Sequence, residues 1–120
     1  MTSATITVTD ITQKPLSLQN LLKNGTAAGP GYTVKPAGGI GALAVLGEMS
    51  YCSVQSSPGN TATVYKGDEN VKTDGSWQSK EMQPGDVDVI QSYARAVSLH
   101  EIFITASANG AKINVEIHQS

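Results

Sequence analysis

The stretch that decides the fold lies near the C-terminus and reads Glu101-Ile-Phe-Ile-Thr-Ala-Ser-Ala-Asn-Gly-Ala-Lys-Ile-Asn-Val-Glu-Ile-His118. Apolar and polar residues alternate on both sides of Asn109-Gly110, a dipeptide that favours a two-residue hairpin turn because a type I′ turn needs positive φ at both central positions. The apolar pairs in that register are Ile102 with Ile117, Ile104 with Val115, and Ala106 with Ile113. Phe103 is the one apolar exception on the opposite, polar face, where Glu101 meets His118. The stretch therefore predicts an antiparallel hairpin with one face on a core.

Shorter strand signals recur along the rest of the chain, separated by turn residues such as Pro58-Gly59-Asn60 and Pro84-Gly85. These predicted strands are residues 5–9, 32–35, 41–47, 49–55, 61–66 and 87–91. Residues 16–23 carry leucines at helical spacing, and residues 92–99 are ambiguous. We therefore predict an all-β fold: a small antiparallel β-sandwich or jelly-roll-like domain with one short helical segment near the N-terminus.

The composition and charge argue against two classes of binding partner, nucleic acids and membranes. A chain of 120 residues is the size of one domain. The net charge is −2 and the basic residues are scattered, which argues against nucleic acid as a partner because phosphate binding needs clustered Lys and Arg. The longest apolar stretch, residues 40–46, is too short to span a bilayer, so we expect no membrane partner. Residues 1–10 lack the pattern of a secretory signal, which favours synthesis in a cytoplasm.

The organisation expected within the single domain, residues 1–120, is an arm followed by a sandwich. Residues 23–31 are small and polar, so residues 1–31 are predicted to form an N-terminal arm and linker. Residues 32–120 then form the β-sandwich.

Catalytic and metal-binding patterns are incomplete in this sequence. Residues 39–44 resemble a dinucleotide fingerprint, but a strand rather than a helix is expected to follow it. Residues 68–75 lack the ligand spacing of a calcium loop, and Asp86 and Asp88 are interpreted as a solvated outer strand face. Cys52 is the single cysteine and is predicted to be a buried, inert thiol. We therefore predict that the chain is not an enzyme, with no catalytic residues, cofactor or metal.

Two groups of residues are candidates for binding. The first is apolar and N-terminal, and comprises Leu16, Leu18, Leu21 and Leu22 with the strand residues Ile6 and Val8. The leucines either dock on a partner or pack over the open end of the sandwich, and the strand either joins a neighbour's sheet edge or stays within the fold. The second group is a pair of rings, Trp77 and Tyr32, that would form a platform for glycan binding. For Trp77 we favour the alternative that it folds back over the core edge.

An ordered series of motifs in the second half resembles a known class of proteins. The series is Asn60 to Val71 with its Tyr65-Lys-Gly67-Asp68 strand end, then Asp74-Gly75, then Met82-Gln-Pro84-Gly85-Asp86, and finally Ile102 to Gly110. It is similar to small virion proteins of tailed bacteriophages, especially capsid decoration (cement) proteins with a β-sandwich or jelly-roll fold. Residues 15–22 also resemble the short leucine segment that opens such proteins. Lys66 and Met82 depart from the aliphatic residue and the leucine that are more usual at those positions.

The resemblance implies a structural role in the virion and does not by itself choose head over tail. The leading hypothesis is a decoration protein at the outer surface of the capsid, which binds the major capsid protein and stabilises contacts between its subunits. Assembly as a homo-oligomer is expected, with a homotrimer implied by the resemblance alone. The alternatives are a tail, neck or fibre subunit with the same fold, or a glycan-binding module of a virion appendage.

Overall fold

The computed structural model describes residues 2–24, 30–36, 48–49, 51–91 and 97–118. The predicted strand at 41–47, the fingerprint-like residues 39–44 and most of the ambiguous segment 92–99 lie outside the described residues, as does the middle of the proposed linker.

Eleven strands, one short α-helix and one 3-10 helix make up the described chain. The strands are β1 (Thr2–Val8), β2 (Leu16–Ser17), β3 (Tyr32–Pro36), β4 (Glu48–Met49), β5 (Tyr51–Ser56), β6 (Val64–Gly67), β7 (Gln78–Met82), β8 (Val87–Gln91), β9 (Val97–Ser98), β10 (Phe103–Ala106) and β11 (Lys112–His118). The α-helix is α1 (Leu18–Asn24), and the 3-10 helix is Leu99–Glu101.

The strands form two antiparallel sheets that pack as a sandwich. Sheet A has the order β3-β1-β11-β5-β8 and sheet B the order β2-β10-β6-β7, while β4 and β9 form a separate two-stranded pair. All strand pairs are antiparallel. The predicted fold class, an all-β antiparallel sandwich with a short helix near the N-terminus, is confirmed.

The Asn109-Gly110 turn forms, but it connects the two sheets instead of closing a hairpin. Strand β10 pairs with β2 and β6 in sheet B, whereas β11 pairs with β1 and β5 in sheet A. Gly110 has φ of 92°, and its N–H donates to the Val8 carbonyl (2.7 Å), while the Asn109 side-chain oxygen accepts from the Ile11 N–H (2.8 Å). The predicted hairpin register, with its Glu101–His118 pair, is therefore wrong.

The faces predicted for these two strands are nonetheless correct. Ile104, Ala106, Ile113 and Val115 are all buried in one hydrophobic core. The two strands contribute to that core from opposite sheets, and each needs an apolar inward face because both sheets cover the same core.

The described residues of the segment 1–31, which are 2–24 and 30–31, do not form a separate arm. Strand β1 lies inside sheet A, hydrogen-bonded to β3 on one side and to β11 on the other. Ile6 and Val8 are buried in the core, so β1 has no free edge to offer a neighbour. The described part of the segment belongs to the sandwich, which corrects the expected arm.

Helix α1 closes the core next to β2. Ser17 Oγ accepts a hydrogen bond from the Asn20 N–H (3.2 Å), which satisfies one of the free donors at the start of the helix. Leu18, Leu21 and Leu22 are fully buried in the core cluster. The packing alternative for these leucines therefore describes the structure, and the prediction that they form an exposed docking surface is wrong.

A side-chain hydrogen bond and an ion pair join the two sheets. The Tyr32 hydroxyl on β3 donates to the Ile104 carbonyl on β10. Lys66 on β6 and Asp88 on β8 form a salt bridge with an N–O distance of 2.6 Å. Lys66 pairs across its sheet with Ile104 and Asp88 pairs with Val54, so both charged residues lie on the core-facing sides of their strands.

The orientation of β8 is the reverse of the expected one. Asp88 faces inward, and the outer face carries Val87 and Val89, each 49% exposed. Asp86 instead closes the Pro84-Gly85 turn, where its carboxylate accepts from the Gln83 N–H (2.9 Å). The interpretation of both aspartates as a solvated outer face is therefore wrong for Asp88, because its charge is paired across the sandwich.

Candidate interaction surfaces

The outer face of sheet A is polar at its centre, where a groove of about 500 Å³ is lined by Thr5, Gln55 and Asn114, among others. Thr5 Oγ1 donates to Asn114 Oδ1 (3.1 Å), and Asn114 Nδ2 donates to Gln55 Oε1 (3.3 Å), so one row of hydrogen bonds crosses β1, β11 and β5. Gln55 and Ser53 pair with Val87 and Val89 on β8. The polar row thus ends in two exposed valines at the β8 edge, and we call this surface the sheet A face.

A second surface feature is a trough over the outer side of sheet B. Its central groove, of about 480 Å³, is lined by Lys14, Pro15, Val71, Lys72 and Phe103, together with Glu69 and Asn70. Phe103 also borders a neighbouring groove of about 430 Å³. We call the two grooves together the Phe103 trough.

Leu16 is the one predicted docking residue that reaches this trough, where it lines the neighbouring groove beside Phe103. It is partly buried and also packs against the core. The sequence singled out Phe103 as an exception on a polar face, and in the structure it lies partly exposed on the outer side of β10.

The charges at the trough are two lysines and one glutamate. Among the described residues, neither Lys14 nor Lys72 forms an ion pair within 4.0 Å. The trough thus combines an apolar floor with two lysines and Glu69 in its lining, and Lys72 also lies close enough to Asp74 to help lower the pKa of that carboxyl. An apolar groove with ammonium groups beside it suits an aromatic occupant.

The third feature is Trp77, which is 69% exposed and has φ of 63°. A left-handed backbone is a genuine outlier for a bulky residue, and such strain is maintained only where neighbouring structure fixes it. The expectation that Trp77 folds over the core edge is wrong.

Contacts of the loop of residues 68–77 hold the backbone of Trp77 in this conformation. The Asp74 carboxylate accepts from the Ser76 N–H (2.9 Å), and the Lys72 N–H donates to the Ser76 carbonyl (3.0 Å). A Cβ at Gly67 would lie 2.8 Å from the Trp77 carbonyl oxygen, so the loop approaches β6 closely only because residue 67 is glycine. Hydrogen bonds from the Ser76 side chain and from the Ser76 N–H lower the pKa of the Asp74 carboxyl.

The two rings predicted for glycan binding do not share a surface. Tyr32 is 5% exposed and its hydroxyl is bonded inside the sandwich, and burial raises its pKa. Trp77 is exposed on its loop. The Trp77–Tyr32 platform is therefore wrong.

Two neighbouring titratable side chains lie in the 3-10 helix. His100 Nε2 is 3.9 Å from Glu101 Oε1, and both side chains are exposed. Within the described ranges, no group of three or more His, Cys, Asp or Glu side chains is placed to hold a metal ion. No helix in the described part of the chain is both long and apolar enough to cross a membrane.

Cys52 lies in the core, fully buried, as the sequence predicts. Burial is the main cause that raises the pKa of its thiol to about 12, and Lys66 partly offsets the effect.

We expect the Cys52 thiol of the folded protein to react with a disulfide reagent such as DTNB only after unfolding, because the thiolate is the reactive species and the thiol stays protonated at pH 8. The measurement is the rate of thiol release with and without denaturant. Prompt stoichiometric reaction of the native protein at pH 8 would contradict the buried placement.

Comparison of the chain with known protein families, curated proteins and solved structures finds no match.

Proposed function

We propose that this chain is a capsid decoration protein of a tailed bacteriophage, which binds the outside of the head and stabilises contacts between major capsid protein subunits. The observation that carries the proposal is the sheet A face, a row of hydrogen-bonded polar side chains that ends in the exposed Val87 and Val89. Polar groups beside exposed apolar side chains are the mixture found at protein–protein interfaces.

The motif resemblance supports the same proposal. Gly75 and Gly85, which belong to two of its motifs, have φ of 89° and 90° and lie in turns before β7 and β8. The leucines of α1 are buried and β1 is paired on both sides, so neither element is a docking element in this proposal. The proposal places the contact with the major capsid protein on the sheet A face.

Immunogold electron microscopy of the source particles, with antibody against this chain, tests the role. Label spread over the heads is the expected result. Label confined to the tail would replace the proposal with a tail, neck or fibre subunit, and particles without label would remove the virion role.

A double substitution, Val87→Ser with Val89→Ser, is expected to weaken binding to heads stripped of this chain by about tenfold, because two half-exposed apolar side chains lose their contact with the shell. Cosedimentation over a concentration series measures the change. The matched control is Gln78→Ser with Lys80→Ser, two exposed residues on β7 of the other sheet. Equal binding by both double variants would exclude the sheet A face as the docking surface.

A further inference from the structure

The exposed Trp77 ring and the Phe103 trough match each other in size and chemistry. Trp77 is a large ring held 69% exposed by an ordered loop. The trough is an open groove with an apolar floor, and its central part of about 480 Å³ has room for an indole ring.

The chemistry of the trough fits an indole in particular. Phe103 offers a ring for edge-to-face contact, and Pro15 and Val71 supply apolar surface. Lys14 and Lys72 line the same groove without an ion pair in the described structure, and an ammonium group over an indole face is the strongest of the lysine–ring contacts.

Trp77 does not fill the trough of its own chain, since most of its side chain is exposed. It is also the only tryptophan of the sequence, and the other large exposed apolar side chains in the described ranges are the valines of β8. Within the described ranges, the protein thus presents one exposed tryptophan ring, the knob, and a groove lined by Phe103, and the ring does not fill the groove.

We infer that this chain self-associates by insertion of Trp77 from one copy into the Phe103 trough of another. Residues 68–77 include both Trp77 and the trough residues Val71 and Lys72, so knob and groove lie on one loop. That proximity favours reciprocal exchange about a two-fold axis, in which each copy donates one ring and receives one. The left-handed backbone of Trp77 is then part of the interface, because it holds the ring in the inserted orientation before binding.

This contact is separate from the sheet A face and does not depend on the proposed capsid role. If both hold, an oligomer carries several sheet A faces, and their combined binding to a shell exceeds that of one copy.

The experiment is sedimentation velocity of the full chain over a concentration series, with tryptophan emission recorded on the same samples. A single tryptophan makes the emission a direct report on the contact. We expect a shift of the emission to shorter wavelength as the oligomer forms, since the indole leaves water.

Two variants locate the contact from both sides. Trp77→Gly removes the knob and suits the positive φ, so the fold is retained; Phe103→Ala opens the trough and leaves the fluorophore in place. Each is expected to raise the dissociation constant by about 30-fold, the size of an interface hot spot. Circular dichroism checks that both variants are folded.

The inference is overturned if the wild-type chain stays monomeric at all concentrations, or if it associates while its tryptophan emission stays constant. It is equally overturned if folded Trp77→Gly protein associates as strongly as wild type. Gln83→Ala, which changes an exposed residue between β7 and β8, outside the knob, the groove and the sheet A face, is the control and should associate normally.

Discussion

Deletion of residues 1–22 is expected to abolish folding. The deletion removes β1, so that β3 and β11 lose the strand between them, and it removes most of the leucines that close the core. The backbone N–H and C=O groups of β3 and β11 that pair with β1 would then lose their partners, and a large apolar surface of the core would be exposed to water. A domain with a net stability of a few kcal/mol cannot stay folded after both losses. Far-UV circular dichroism and an amide NMR spectrum of the truncated chain measure the loss.

The control for this deletion is Thr12→Ala with Lys14→Ala, which alters exposed residues of the same segment and should leave the fold intact. A truncated chain that unfolds cooperatively on heating, as an ordered domain does, would show that residues 1–22 are dispensable and that the arm interpretation was right.

Leu21→Ala is expected to lower the free energy of unfolding by about 2–5 kcal/mol, because the side chain is fully buried and its removal leaves a cavity in the core. Urea titration measures the change, with an unaltered m-value showing that the two-state comparison is valid. Gln19→Ala on the same helix is the control and should change the free energy by less than about 0.5 kcal/mol, since that residue is partly exposed. Equal effects at both positions would mean that α1 is not packed on the core.

Sequence alternation predicted which face of each C-terminal strand is buried, but not which strand lies beside it. Ile104 and Val115 are buried as expected, yet their strands belong to different sheets. Apolar residues that repeat with a period of two specify which face of a strand points inward. In a sandwich, an apolar inward face is needed whether the next strand lies beside it in the same sheet or across the core in the other sheet. The Asn109-Gly110 dipeptide correctly predicted that the chain reverses direction. It does not indicate whether the strand that follows joins the same sheet or the other one.

The reversal of β8 has a similar cause. Apolar valines and polar aspartates alternate in residues 86–89, and the simplest pattern puts the valines inside. The structure puts Asp88 inside because Lys66 arrives from the opposite sheet to pair with it. A partner at a distance of 22 positions in the chain cannot be found from the periodicity of one strand. The departure of Lys66 from the aliphatic residue expected there was the available signal.

The binding surfaces were predictable only in part. Phe103 was marked by the sequence as an apolar residue on a polar face, and it lines the trough. The exposure of Trp77 depends on its left-handed backbone, which the residue type disfavours. The neighbouring sequence offered a signal, because Asp74-Gly75 predicts a tight turn that fixes the chain just before Trp77.

The central place of β11 in sheet A governs how this protein reaches its fold. Residues 112–117 pair with residues 2–7, so the first and last strands of the described chain are direct neighbours. During translation, sheet A stays incomplete until residue 118 has left the ribosome, and the side of β1 opposite β3 must wait for a partner made more than 100 residues later. Such long-range pairing makes folding slow and leaves unpaired strand edges exposed on nascent chains. Overexpression would therefore favour aggregation, and slower synthesis at low temperature should raise the soluble yield.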